Sequence, residues 1–256
     1  MGSSTLRLSR AEHWFPLPCR KKNSRGLTLA TLREGADALA ARDVDLARVL
    51  ERVGYPPIWG RRPGFSSLVR IILEQQVSLR SAEAMYRRLE LHLGGVTPES
   101  FGRAGVTRLR RLGVTRQKAG YCVGLARRVL SGALDLSAVA RADDDVGRRM
   151  LLDVPGLGAW SVDIYYVMAL RRPDVWPRGD LALAAALRDL KKLRALPTHE
   201  QQLDFAYAWA PWRSVAARIL WALYLIDRGR FTHQRAAASP STPPALPPPI
   251  LHPRSS

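Results

Sequence analysis

At 256 residues with 46% hydrophobic content, the chain can bury a full core as one large domain or two small lobes, and it reads as a soluble globular protein. Lys and Arg outnumber Asp and Glu by 40 to 22, a formal net charge of +18, which argues for a polyanionic partner with nucleic acid as the first candidate. A membrane surface is the other large anion, but no apolar run approaches transmembrane length and no helix pairs a Lys/Arg-rich face with a wholly apolar one, so that partner is set aside.

Residues 1–26 are basic and irregular, with Arg7, Arg10, Arg20, Lys21, Lys22 and Arg25 set against Glu12. They lack the apolar core of a signal peptide and read as a disordered arm that touches phosphates, a transit peptide being the competing reading. From Leu27 the pattern turns helical, and residues 27–230 form the expected core. TLATLREGADALAARD and DLARVLERVG give two short helices, broken at Gly54 and Pro56-Pro57. Phe65, Leu68, Val69, Ile72 and Leu73 make an apolar helix ending near Gln76, and Ser78 caps the next, which runs to Gly94-Gly95. The Gln75-Gln76 junction is therefore a corner between helices.

Thr97-Pro98-Glu99 opens a short helix with Pro at its first position. Thr115 opens another, whose first turn carries Arg116 and Lys118 where the helix dipole disfavours cations; a phosphate nearby would explain them, two solvated side chains being the plain alternative. A short helix spans Leu136 to Ala140, and Asp143-Asp144-Asp145 supplies capping carboxylates for VGRRMLLD. Beyond Asp180, LALAAALRDL is helical, Thr198 and Gln201 form a capping box, and WRSVAARILWALYLIDRG is the last helix, bearing Arg213, Trp221 and Tyr224. Residues 231–256 are rich in Pro, Ser and Ala and read as a disordered tail. With no strand-like alternation the fold class is all-α. Two cysteines, Cys19 and Cys122, fit a reducing compartment and cannot ligate a four-cysteine cluster.

The stretch from Leu151 to Leu187 organises the rest. Pro155-Gly156-Leu157-Gly158 is a tight turn: Pro cannot extend the preceding helix, and Gly permits positive φ and close backbone approach. Trp160, Ile164, Val167 and Met168 then fall on one face of a helix that begins at the turn, so residues 154–160 are a hairpin between helices. Its backbone N–H groups and the helix N-terminus behind them form an anion site suited to phosphate, although a plain helix-helix corner has the same signature.

Gly156-Leu157-Gly158-Ala159-Trp160-Ser161-Val162 resembles the motif of the helix-hairpin-helix DNA glycosylases, in the branch typified by bacterial 3-methyladenine DNA glycosylase II. The segments Phe65 to Ala82, Leu112 to Ala126 and Pro211 to Trp221 match in the same order. The resemblance implies a two-lobed all-α fold with an active-site cleft between the lobes, though without the β-rich lobe that precedes the typical enzyme's core. It implies a monofunctional enzyme that flips a damaged, alkylated base out of double-stranded DNA and hydrolyses its glycosidic bond in base excision repair. The essential Asp of the family follows the second hairpin Gly at the interval seen between Gly158 and Asp180, so Asp180 takes the catalytic role, stabilising oxocarbenium charge and orienting water. Without the resemblance, Asp180 reads equally as a helix N-cap.

By the same resemblance Trp160 and Trp221 line the base pocket and Gln76 fills the gap left by the extruded base. Gly156, Leu157, Gly158, Gln75 and Lys118 contact DNA. The main-chain carbonyls of Leu152, Val154 and Leu157 hold a monovalent cation, Na+ or K+, and no cofactor is required. Duplex DNA is the expected partner of a monomer, cytoplasmic and nucleoid-associated, with no membrane. Ile164 replaces a Tyr of the typical enzyme, Gly179 replaces an acid and Leu181 an aromatic, departures that bear on pocket shape. Two other readings compete. A bifunctional oxidised-guanine glycosylase/lyase needs a Lys where Trp160 stands, and a non-catalytic helix-hairpin-helix DNA-binding module needs Asp180 to be only a cap.

Overall fold

The computed structural model describes residues 26–229, so the expected tail lies outside them, as does the expected arm apart from Gly26. Among the described residues the structure is helical with no strand. The helices are α1 (Leu29–Ala40), α2 (Val44–Val53), α3 (Phe65–Glu74), α4 (Leu79–Leu93), α5 (Pro98–Arg111), α6 (Arg116–Leu130), α7 (Leu136–Arg141), α8 (Asp144–Leu152), α9 (Ala159–Met168), α10 (Leu181–Leu190), α11 (His199–Ala208) and α12 (Arg213–Asp227). None is long and apolar enough to cross a membrane.

Most boundaries follow local chemistry. Ser78 and Thr115 accept the N–H three residues on, and Thr198 with Gln201 forms the reciprocal box. The triple acid behaves differently from the expected cap. Asp143 makes no side-chain cap bond, and the Asp144 carboxylate instead takes the Arg172 guanidinium at 2.8 Å. A cation arriving from the loop after α9 outcompetes a backbone donor for a half-buried carboxylate, since a charge-assisted bond is about twice as strong as a neutral one. Gly105 adopts φ 62°, ψ 176°, so α5 is two shorter pieces joined at a kink.

The helices pack in two groups that share one apolar core. In one, α12 is flanked by α1, α2, α10 and α11; in the other, α3 contacts α4, α6 and α9, α5 lies on α6, and α8 joins α7 to α9. Helix α9 is more deeply set than its periodicity predicts, with every residue from Ser161 to Met168 buried. Its sequence, AWSVDIYYVM, is apolar on nearly all sides, as suits a helix enclosed by neighbours. The exception is Asp163, a carboxylate in the middle of a core helix.

Candidate active site

The hairpin joins α8 to α9. Its Leu157 N–H closes the turn onto the Val154 carbonyl at 3.0 Å. Gly156 has φ 92°, and a Cβ placed there would lie 2.3 Å from Cγ of Tyr121 on α6, so both its conformation and its contact demand glycine. Gly158 differs. Its φ of −85° suits any residue and a Cβ would meet open space. No side chain caps α9 there, so its first N–H groups have no side-chain acceptor from the cap residue.

Asp180 lies where the two helix groups meet. Its side chain caps α10, Oδ1 accepting the Leu183 N–H at 3.0 Å, so the N-cap reading is correct as far as it goes. Two indoles also donate to it: Trp160 Nε1 from the start of α9 to Oδ2 at 3.0 Å, and Trp221 Nε1 from α12 to Oδ1 at 3.2 Å. The residue is 2% exposed. Burial pushes its carboxyl above the usual carboxylate range, and the three donors, with the Ala182 backbone, pull against that rise. A simple cap needs one acceptor contact and open solvent; this carboxylate is dry and fixed from three directions.

The two tryptophans play unequal parts. Trp160 is half-buried, packed against the core. Trp221 is 0% exposed, which corrects the expectation that it presents a stacking surface to a base. Enclosed in α12, it serves the site through its N–H on Asp180.

The corner after α3 reaches the hairpin. Gln75 donates Nε2 to the Gly156 carbonyl at 2.8 Å and to Ser161 Oγ at 3.0 Å. Gln76 is exposed in the left-handed region at φ 59°, a conformation that costs a non-glycine residue about 1–2 kcal/mol. Strain of this kind persists where the surroundings over-determine it. Lys118 is not turned toward solvent phosphate. Its Nζ donates to the carbonyls of Leu73 at 2.7 Å and Gln75 at 2.6 Å, capping the negative end of α3. Burial lowers its pKa, partly offset by the nearby Cys122 and Glu74.

One contact set escaped the sequence reading. Asp163, 0% exposed, accepts the Arg178 backbone N–H at 3.1 Å and the Arg178 Nε at 3.0 Å through Oδ2, while Oδ1 takes Arg148 from α8. Arg178 stands two residues before Asp180. An acid at a core position of an apolar helix was the available signal, because such a charge is tolerated only when paired. Elsewhere Lys191 is held by Asp45 at 2.6 Å, and among the described residues no cluster of three His, Cys, Asp or Glu side chains could hold a metal.

Residues 69–211, more than half of the chain, match the HhH-GPD superfamily of base excision DNA repair proteins. DNA-3-methyladenine glycosylase 1 of Schizosaccharomyces pombe is 27% identical over 72% of this chain and 83% of its own length. DNA-3-methyladenine glycosylase of Bacillus subtilis is 25% identical over 67% of this chain and 59% of its own length, so the chain spans well under two thirds of that relative. The solved S. pombe 3-methyladenine DNA glycosylase in complex with abasic DNA superposes with a TM-score of 0.69 at 24% identity, covering 76% of this chain and 97% of that one, a likeness of fold.

Proposed function

The chain belongs to the HhH-GPD superfamily of base excision DNA repair proteins, and from that membership we propose that it is a monofunctional DNA glycosylase that flips an alkylated base out of duplex DNA and hydrolyses its glycosidic bond. The observation that carries the reading is the dry Asp180 carboxylate, gripped by the indole of the residue that opens the hairpin helix. As the C1′–N bond breaks, its electron pair leaves with the base and positive charge grows on the sugar. A fixed carboxylate in a poorly hydrated site stabilises that charge far better than one in water. A water oxygen then bonds to C1′ and gives up a proton to the same carboxylate.

The half-buried Trp160 would offer its ring to an electron-poor alkylated base, and cation–π attraction favours the cationic lesions that alkylation produces. Gln76, exposed and in the left-handed conformation, would fill the vacated stack, with the hairpin backbone and the uncapped N-terminus of α9 receiving phosphates. The cleft would lie between the two helix groups, which meet at Asp180. A monovalent cation would be held at the hairpin by the Leu152, Val154 and Leu157 oxygens, neutral hard donors, Leu152 ending α8 where carbonyls lack intrahelical partners. When bound it would supply positive charge for a phosphate. Hydrolysis by water calls for no cofactor.

A lyase reading fares worse. Trp160 stands where a Schiff-base lysine would be needed, Lys191 is paired with Asp45, and the Lys118 ammonium is committed to two carbonyls. The test is release of methylated bases from alkylated duplex DNA, with loss in Asp180→Asn and duplex binding retained. Borohydride trapping should give no protein–DNA adduct. Binding without any base release by the wild type would favour the non-catalytic module.

A further inference from the structure

Asp163 points its carboxylate not at the candidate cleft but at the loop that carries Asp180, and both of its oxygens are engaged. Helix α9 thus holds that loop at two places three residues apart on its own axis. Trp160 grips the Asp180 carboxylate, and Asp163 grips the backbone and side chain of Arg178. Within the segment Pro177-Arg178-Gly179 the Pro177 carbonyl accepts the Asp180 N–H at 3.4 Å, a long contact for a turn. Gly179 sits at φ 73° with open space around it, and α10 begins only at Leu181. A backbone N–H bonded to a buried carboxylate is a charge-assisted contact, stronger than a bond to a carbonyl.

We propose that Asp163 is the positioning residue for Asp180: by anchoring Arg178 to α9 it fixes the loop so that the Asp180 carboxylate meets both indole donors. The proposal rests on the reading of Asp180 as the catalytic carboxylate. Arg148 serves as the counter-cation of Asp163 in the core, its ion pair with Asp163 being formed from the neighbouring helix. Breaking the anchor leaves the chemistry's residues in place and loosens their geometry, and misplacement by about 1 Å costs on the order of 100-fold in rate.

The test uses the full chain as wild type, Asp163→Asn, Asp180→Asn, the double variant and Arg178→Ala. Single-turnover release of methylated bases and duplex affinity are measured alongside the indole N–H resonances of Trp160 and Trp221 by NMR. Asp163→Asn should lower the single-turnover rate by about 100-fold with duplex affinity within about twofold, and should move both indole resonances toward their positions in Asp180→Asn. The double variant should be no slower than Asp180→Asn, because Asp163 acts only through Asp180. A merely structural role would instead slow the double variant further and leave the resonances where they were; that result overturns the proposal, as does a wild-type rate in Asp163→Asn. Should Asp163→Asn fail to fold, Arg178→Ala removes the side-chain contacts of Arg178 while keeping its backbone N–H on Asp163, and should show the same resonance shift with a smaller loss of rate. If the wild type releases no base yet both resonances move in Asp163→Asn, the glycosylase reading fails and the anchoring role stands. Unmoved resonances in an active enzyme sink the anchor alone.

Discussion

Gln75 donates its amide to the Gly156 carbonyl at 2.8 Å, which ties the corner after α3 to the hairpin and sets the exposed Gln76 at a fixed place beside it. Extruding a base costs a few kcal/mol of stacking and pairing, and a residue that fills the gap offsets part of that. Gln76→Ala should therefore lose activity on a paired lesion and recover much of it when the lesion faces a mismatch. Asp180→Asn acts on the transition state and should stay slow on both. Single-turnover rates on paired and mismatched duplexes decide this, and equal rescue of the two variants would remove Gln76 from the wedge role.

The two hairpin glycines should fail differently. Gly156→Ala drives a Cβ to within 2.3 Å of the Tyr121 ring at a positive φ and should destabilise the fold by about 1–3 kcal/mol, read as a lowered Tm. Gly158→Ala meets open space at an ordinary φ, so stability should change by no more than about 0.5 kcal/mol. Its methyl would stand where a phosphate approaches, so duplex affinity should fall all the same. Unchanged binding in Gly158→Ala would separate the hairpin backbone from DNA.

Burial raises the Asp180 pKa, and in the proposed mechanism the carboxylate is the working form. The single-turnover rate should accordingly fall as pH drops through a value above the usual carboxylate range, and that acid limb should vanish in Asp180→Asn. The stability sign is the opposite. A folded pKa above the unfolded one makes a contribution that is complete below the unfolded value and lost as pH rises through the folded value. The Tm of wild type relative to Asp180→Asn should thus improve on acidification through that window. A rate flat down to the ordinary Asp range would contradict the burial-driven shift.

Lys118 offers a test between two accounts of one residue. A phosphate contact predicts that removing it lowers the slope of log K against log salt by about 0.9. The cap seen here predicts an unchanged slope, with Lys118→Met losing about 1–3 kcal/mol of stability because two part-buried carbonyls lose their donor. Salt titrations of duplex binding, with Tm measured beside them, separate the two.

Much of this molecule was determined within short windows of its sequence. Thr198 finds Gln201 three residues on, Ser78 finds the Ser81 N–H, and the Pro155-Gly156 turn follows from the backbone freedom of those residues alone. Caps, turns and helical periods involve partners a few residues apart, so a linear reading reaches them; the role expected of Asp180, much farther from the hairpin, came only from the resemblance. What only the tertiary structure decided is which distant polar atoms share a site. Trp221 reads as a pocket aromatic by position, yet packing encloses its ring and leaves only its N–H on Asp180. Lys118 reads as a phosphate ligand, and the fold sets its ammonium on the C-terminal carbonyls of α3. Asp163 and Arg178 meet because α9 is buried all round and its one carboxylate must take whatever cations the neighbouring elements bring, a choice set by how the helices pack.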